Sequence, residues 1–294
     1  MPELPEVETV RRMLETHLVG RTVRSVRLSG LKLREPVPRA LPRQIRGRTL
    51  TGVRRHGKYL LIDLSGSLTI VSHLGMSGRW LFYVEQPERA LPHVHARLEF
   101  EDGSELWFQD PRHFGVLRAV PTLRLPADHS LARLGPDPLA TPPTGAGLAE
   151  LAQGARVSAK SFLLDQRRIA GVGNIYASEI LFRARVDPRR AAGRLAVPEW
   201  GAVAAELTRV LNEAIARMGT TFSMYRTLWN EPGTYAEKLR VYDRADQPCR
   251  RCRTPIRRIV QAQRSTYFCP SCQPSRPARG LARRPMTRSR ADRG

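Results

Sequence analysis

The sequence predicts an α+β chain of several domains: an N-terminal helix leading into a β-sandwich or barrel, then a helical domain, then a small cysteine-held β-hairpin. Three observations carry this. Short β-like runs crowd between about Val23 and Val120, six prolines fall within residues 121–145, and the only four cysteines stand at 249, 252, 269 and 272.

The opening segment reads as a helix because Val7, Val10, Leu14 and Leu18 recur at helical spacing, with Glu3, Glu6 and Glu8 at the positive end of the dipole and Arg11 and Arg12 later. Pro5 suits its first turn. Residues 59–62, 68–71 and 80–83 are β-like, and Val94, Ala96, Leu98 and Phe100 alternate into Asp102-Gly103 before Leu106 and Phe108, the pattern of a hairpin with a tight turn. The proline cluster breaks both periodicities and marks a linker or hinge. Beyond it, residues 148–151, 161–166 and 175–182 read as helices. A longer helix follows Pro198, and its Trp200, Val203, Leu207, Val210, Leu211, Ile215 and Met218 form one core-facing stripe. After Gly219 come a polar loop, the cysteine module and an arginine tail too poor in apolar residues to fold. No internal repeat stands out.

At 294 residues with 41% hydrophobic and 26% charged, the chain can bury a real core. It has no apolar run near the ~20 residues of a membrane helix, which excludes membrane-spanning helices, collagen-like and wholly disordered classes. Acids near the start, where a secretory signal carries cations, predict a cytoplasmic protein. Lys+Arg number 49 against 27 Asp+Glu, a formal +22, and residues 1–272 alone keep +16. That balance implies a polyanionic partner. Only Lys32, Lys58, Lys160 and Lys238 are lysines, so each is worth locating.

Cys249, Cys252, Cys269 and Cys272 form two C-x2-C pairs sixteen residues apart, the spacing of a structural zinc site. A reducing compartment disfavours disulfides, and a thioredoxin-like redox pair needs a βαβ setting absent here. Ile256, Ile259, Val260, Tyr267 and Phe268 suggest a β-hairpin between the pairs. So small a module lacks a core, and metal ligation worth roughly 10–16 kcal/mol would supply its fold. Arg264 lies near the turn, where it could meet a phosphate or be an ordinary solvated arginine.

Gly171-Val172-Gly173-Asn174, ahead of a helical run, offers backbone N–H groups that could cradle a phosphate, or merely a turn between helices. The residues alone leave both open. A dinucleotide-binding fingerprint fails, because the segment follows a helix and lacks the third glycine. At the N-terminus, the small Pro2 favours removal of Met1, which would leave a secondary amine. An α-amine titrates near 8 and a lysine near 10.4, so at neutral pH its free fraction is larger by roughly a few hundredfold. Attack on an aldehyde-level carbon would give a cationic iminium, an electron sink for elimination next door, with Glu3 placed to act as acid. The plainer reading is that Pro2 and Pro5 start a helix and the acids answer its dipole.

Six segments, in order and spacing, resemble the bacterial formamidopyrimidine-DNA glycosylases: residues 1–9 beginning Met1-Pro2-Glu3-Leu4-Pro5-Glu6, Gly57-Lys58-Tyr59-Leu60-Leu61, residues 73–78, residues 110–115, residues 171–179 and the four-cysteine module. The resemblance spans about residues 1–273. It implies an N-terminal β-sandwich with its helix over residues 1–133, a helix-two-turn-helix domain over 134–234, a zinc-finger hairpin over 235–273 with one structural zinc ion, and a basic, disordered tail over 274–294. It implies a monomeric, nucleoid-associated repair enzyme that excises oxidised purines from duplex DNA and nicks the strand by β,δ-elimination. By the same match Pro2 is the Schiff-base nucleophile, Glu3 the acid that helps open the sugar, Lys58 the residue of the β-elimination step or of the adjacent phosphate, and Arg264 the aid to δ-elimination. His93, Arg112, Lys160 and Asn174 match positions that grip the DNA. Met76, Arg112 and Phe114 match side chains that fill the gap left by an everted nucleotide.

Some positions depart from the family pattern. His113 stands where a second arginine is usual, Asp243 and Asp246 replace glycines, and residues 220–233 are atypical for the loop expected to cover the flipped base. These changes bear on base preference. A related class, the endonuclease VIII type acting on oxidised pyrimidines, usually begins Pro-Glu-Gly-Pro, against Pro2-Glu3-Leu4-Pro5 here. A non-catalytic zinc-containing DNA binder would explain the charge and the cysteines but gives Pro2 and Lys58 no task.

Overall fold

The computed structural model describes residues 1–87, 91–222 and 224–275; most of the arginine tail, residues 276–294, lies outside the described residues. Helix α1 (Leu4–Leu18) buries Val7, Val10, Leu14 and Leu18 in the N-terminal core, as their spacing predicts, while Leu4 packs into a second, helical core. One helix thus belongs to two cores. The strands β1 (Val23–Leu28), β2 (Leu50–His56), β3 (Tyr59–Leu64), β4 (Leu68–His73), β5 (Arg79–Tyr83), β6 (Val94–Phe100), β7 (Glu105–Gln109) and β8 (Val116–Pro121) follow, with a short helix α2 (Leu41–Ile45) after β1. They make two four-stranded sheets, ordered β1-β6-β7-β5 and β2-β3-β4-β8, with every pairing antiparallel. Fully buried Trp80 crosses between the sheets by donating its indole N–H to Ser72 Oγ at 3.1 Å, which satisfies the one polar atom of a large apolar side chain. The β6–β7 turn is the expected tight one: Gly103 has φ +86° and its N–H donates to Phe100 O at 3.0 Å.

The proline-rich stretch, expected as a hinge, is fastened instead. Asp128 accepts from Arg118 Nη2 at 2.6 Å, and Asp137 takes the Arg55 guanidinium together with the N–H groups of Gly57 and Leu139. Two buried carboxylates each collect several donors, so the linker is held to the sandwich rather than free to swing.

The helical part comprises α3 (Gly145–Leu151), α4 (Ala159–Leu164), α5 (Asn174–Arg183) and α6 (Val197–Ala216). Trp200, Val203, Leu207, Val210, Leu211 and Ile215 of α6 are buried as one stripe. Met218, assigned to that stripe from the sequence, lies past the helix end at φ +57°, followed by Gly219 at φ +81°. The left-handed pair terminates the helix and turns the chain back over α1.

In the last module, β9 (Arg257–Gln261) and β10 (Arg264–Phe268) pair antiparallel around Ala262 and Gln263, whose φ values of +46° and +59° match the twist of a two-residue hairpin. At the other end the sulfur atoms of Cys249, Cys252, Cys269 and Cys272 lie within 4.8 Å of one another. A tetrahedral zinc with ~2.3 Å bonds would separate them by about 3.8 Å, so the four cysteines fit one structural zinc ion. Among the described residues no helix is long and apolar enough to cross a membrane.

Candidate active site

The site is built around the start of the chain. Pro2 is buried, and Met1, nearly half exposed, reaches into a cavity of about 290 Å³ that Lys58, His73, Gly173 and Arg264 also line. Glu3 is 2% exposed. Its Oε1 accepts the N–H of Ile175 at 2.9 Å and its Oε2 that of Tyr176 at 3.4 Å, so the carboxylate caps α5. After Gly171-Val172-Gly173-Asn174, the Ile175 and Tyr176 amides at the start of α5 hold Glu3. Both glycines serve that docking. A Cβ on Gly171 would stand 2.5 Å from Leu4 Cδ1, and one on Gly173 would stand 2.3 Å from Glu3 Cδ.

Glu6, 1% exposed, is the second buried acid of this junction. Its Oε2 accepts the Glu3 N–H at 2.7 Å, and its Oε1 accepts the Thr220 N–H at 2.7 Å and the Tyr176 hydroxyl. Burial, reinforced by the nearby Glu3 carboxylate, pushes the Glu6 carboxyl up to about 7. Glu8 meets Arg11, Arg12 and Arg55, which hold its carboxyl below the usual range against the effect of burial. The three acids therefore do more than answer a dipole. Sequence reasoning gave Glu6 only a part in answering the helix dipole, because a first-turn acid looks solvent-facing until its neighbours from residues 176 and 220 are known.

Lys58 is carried on the β2–β3 turn and is also buried. Gly57 holds that turn in place: its φ is +57°, its N–H donates to Asp137 Oδ2 at 2.8 Å, and a Cβ would touch Ala170 at 3.0 Å. Burial and the Arg264 charge lower the Lys58 pKa, against the opposing pull of Glu3 and Glu6. His73, which the sequence placed in a motif without a task, stacks on Tyr59 with ring centroids 4.6 Å apart. Burial first, then the Lys58 and Arg34 charges, lower its pKa to about 4, so it is neutral at pH 7. Arg264 projects from the tip of the β9–β10 hairpin into the same cavity and is exposed.

Two loops beside this cavity carry Met76, Arg112 and Phe114. Buried Asp110 accepts from Ser77 Oγ, from the Arg112 N–H at 3.3 Å and from the Gly115 N–H at 2.7 Å, locking residues 110–115 into one turn. Gly75, at φ +59°, is pressed so closely on Phe114 that a Cβ would lie 2.5 Å from its carbonyl carbon. Met76 and Phe114 are left 38% and 43% exposed, and the Arg112 guanidinium lies over the Phe114 ring at 5.2 Å. His93 is exposed nearby, its ring 5.9 Å from that of His113.

Lys160 is not where a direct grip on DNA would put it. It is 1% exposed, and its Nζ donates to Ser265 O at 2.7 Å and Thr266 Oγ1 at 2.8 Å. The long polar side chain reads as surface in the sequence, but the zinc hairpin folds over it. Asn174 starts α5 beside Tyr242, half-buried, at the edge of the Glu3 docking site.

Comparison with known proteins agrees with this geometry. Models of the formamidopyrimidine-DNA glycosylase N-terminal domain, the H2TH domain of that glycosylase, and the zinc finger found in FPG and IleRS match residues 1–117, 134–226 and 246–274. Formamidopyrimidine-DNA glycosylase of Methylococcus capsulatus is 45% identical over 275 residues, covering 93% of this chain and all of the relative. The chain belongs to the formamidopyrimidine-DNA glycosylase family. It is therefore one of the DNA-repair glycosylases. The family's MutM (Fpg) protein from Thermus thermophilus superposes with a TM-score of 0.83 at 40% identity, covering 94% of this chain and all of that one. Lactococcus lactis Fpg, solved with abasic-site DNA, gives 0.85 at 30% identity, covering 92% and 99%.

Against the family pattern, the departures have physical accounts. Asp243 and Asp246, in the place of glycines, have φ +58° and +63°, a region aspartate enters more readily than most residues. His113, at φ +61°, donates from Nδ1 to Lys32 O at 2.8 Å. In the atypical segment, residues 225–229 are anchored: Tyr225 and Leu228 enter the sandwich core, Leu228 O accepts the Phe82 N–H at 3.1 Å, and Trp229 packs edge-on against His17 and Phe82.

Proposed function

We propose that this protein is a bifunctional DNA glycosylase and AP lyase that excises 8-oxoguanine and formamidopyrimidines from duplex DNA, acting as a cytoplasmic, nucleoid-associated monomer. The observation that carries the reading is a convergence on one cavity: the chain start, where Pro2 follows Met1 and Glu3 docks on α5, meets Lys58 of the sandwich and Arg264 of the hairpin. Among solved relatives, Lactococcus lactis Fpg has been seen with DNA containing Fapy-dG and with abasic-site DNA.

Once Met1 is removed, the Pro2 nitrogen faces the cavity and attacks C1′ of the everted nucleotide. The bond from C1′ to the damaged base breaks, the base leaving with the electron pair and the proton that the amine sheds, and opening of the sugar ring then gives a cationic iminium. Glu3, fixed on the start of α5, delivers a proton to the sugar oxygen as the ring opens. Lys58 serves the β-elimination, in which a C2′ proton is lost and the C3′–O bond breaks, with its cation beside the departing phosphate. Its lowered pKa raises the fraction able to accept a proton. Arg264 meets the second phosphate when the C5′–O bond breaks in δ-elimination. Taking the base out of the stack costs a few kcal/mol, which Met76 and Phe114 offset by filling the gap while Arg112 hydrogen-bonds the widowed base; His93 and Asn174 meet the backbone nearby. Zinc holds the hairpin that carries Arg264 and takes no part in the chemistry.

The decisive test is borohydride trapping on a duplex with 8-oxoguanine opposite cytosine. A covalent adduct that disappears when Pro2 is replaced by alanine, or when Met1 is retained, is expected. A non-catalytic binder forms a complex without the adduct, and that outcome ends this reading. A second reading, preference for oxidised pyrimidines, draws support from the Lactococcus lactis Fpg complex with an oxidised pyrimidine. Excision rates on a panel of both lesion classes decide between them.

A further inference from the structure

Among the described residues, Lys160 is a buried cation without a carboxylate in hydrogen-bond contact. Its ammonium meets only neutral oxygens, Ser265 O and Thr266 Oγ1, and both belong to the two residues that follow Arg264 on β10. Thr266 itself is fully buried, so its hydroxyl has no water to fall back on. Such a placement is costly, because desolvating an ammonium without an opposing charge in contact is among the least favourable ways to fill a core. Met or Leu would fill the same space at lower cost.

The location gives the arrangement its purpose. The hairpin is fixed at its zinc end by Gln273, which donates to Val186 O at 2.8 Å, and by Glu179, whose carboxylate accepts the N–H groups of Arg240, Val241 and Tyr242 at 2.9–3.0 Å. Those anchors lie far from the tip. Toward the tip, Gln261 reaches Pro188 O at a long 3.5 Å, and Lys160 supplies the two short bonds. Lys160 in turn starts α4, whose Ala159 N–H is tied to Arg190 O at 2.7 Å and whose Ser158 caps the first turn. A rigid helix start thus reaches across to the strand that aims Arg264.

We propose that Lys160 is a positioning residue for Arg264: by gripping the backbone of β10 it sets where the guanidinium stands over the cavity, and so how far strand cleavage runs beyond the first elimination. This rests on the reading of Arg264 given above. Lys160 touches neither the cavity nor any reacting atom, and a neutral lysine still has two N–H groups, so the grip survives deprotonation. That matters because burial, helped by Arg264 and opposed by Glu3, lowers its pKa to about 7.

The test uses the full-length, zinc-loaded protein on a duplex with a single abasic site, and reads the share of cleaved ends that carry a 3′-phosphate against those that keep the unsaturated aldehyde. R264Q calibrates the assay. K160M should lower the 3′-phosphate share about tenfold, the size of one hydrogen bond from a charged donor, with borohydride trapping unchanged within about twofold. K160R, which can donate to both oxygens, should recover part of the share. If R264Q lowers the share while zinc-replete K160M leaves it at the wild-type value, the positioning role is wrong. If R264Q itself changes nothing, the reading of Arg264 is wrong. Should K160M fail to retain zinc, T266V, which removes one acceptor and keeps the buried shape, decides: an intermediate share supports the proposal and a wild-type share overturns it.

Discussion

Replacing Gly173 by alanine tests the docking of Glu3, the proposed acid, most sharply. The residue's backbone, at φ −130° and ψ −162°, suits alanine, so the effect is steric alone. The new methyl would stand 2.3 Å from Glu3 Cδ and 2.5 Å from Oε1, whereas ordinary contact begins at 3.4 Å, so the carboxylate must retreat by about 1 Å. The bond from the Ile175 N–H, now 2.9 Å, is then stretched beyond use. A hydrogen bond to a charged group contributes roughly 1.5–3 kcal/mol, and misplacing a reacting group by ~1 Å lowers the rate about 100-fold. The assay is single-turnover release of 8-oxoguanine, with zinc content and far-UV circular dichroism confirming the fold. Base release should fall about 100-fold in G173A. Release within about threefold of wild type would mean that the geometry of Glu3 on α5 does not govern the chemistry.

Three further outcomes are expected. The raised Glu6 pKa means that folding favours its protonated form, so its contribution is present below about pH 4.5 and is lost as pH rises toward 7; the melting temperature of wild type relative to E6Q should decline over that window, by the equivalent of roughly 3 kcal/mol, and a constant difference would contradict the burial described. Removing zinc with a chelator should unfold the hairpin and abolish the 3′-phosphate product, since metal ligation worth roughly 10–16 kcal/mol holds a module with almost no core; an unchanged product pattern would separate Arg264 from the zinc. Gly201 lies inside α6 with open space where its Cβ would be, so G201A should stabilise the protein by about 0.5–1 kcal/mol, seen as a higher melting temperature with base release unaltered.

Much of this architecture could be read from local pattern. The α1 stripe, the Asp102-Gly103 turn and the cysteine pairs depend on residues close in sequence, and each stands where its spacing puts it. What escaped is nonlocal. That Gly171 and Gly173 make room for Leu4 and Glu3 depends on residues about 170 positions away. Lys160 and Glu6 carry side chains whose ordinary place is the surface, and only the packing of residues more than a hundred positions away makes them interior. The prolines of the linker announced a break in periodicity but not that Asp128 and Asp137 would tie it down. The Ala262-Gln263 turn lacks the asparagine and glycine that usually announce its type, so the tip of the hairpin was hidden.

The gathering of the chain start, Lys58 and Arg264 at a single cavity also orders events in time. A ribosome makes Pro2 first and Arg264 only after about nine-tenths of the polypeptide has emerged, and the last two cysteines that fasten the hairpin follow later still. A nascent or prematurely terminated product therefore has the chain start, the proposed nucleophile, but not Arg264, the arginine proposed to complete the cut. On the proposed reading, the second elimination is reserved for finished molecules.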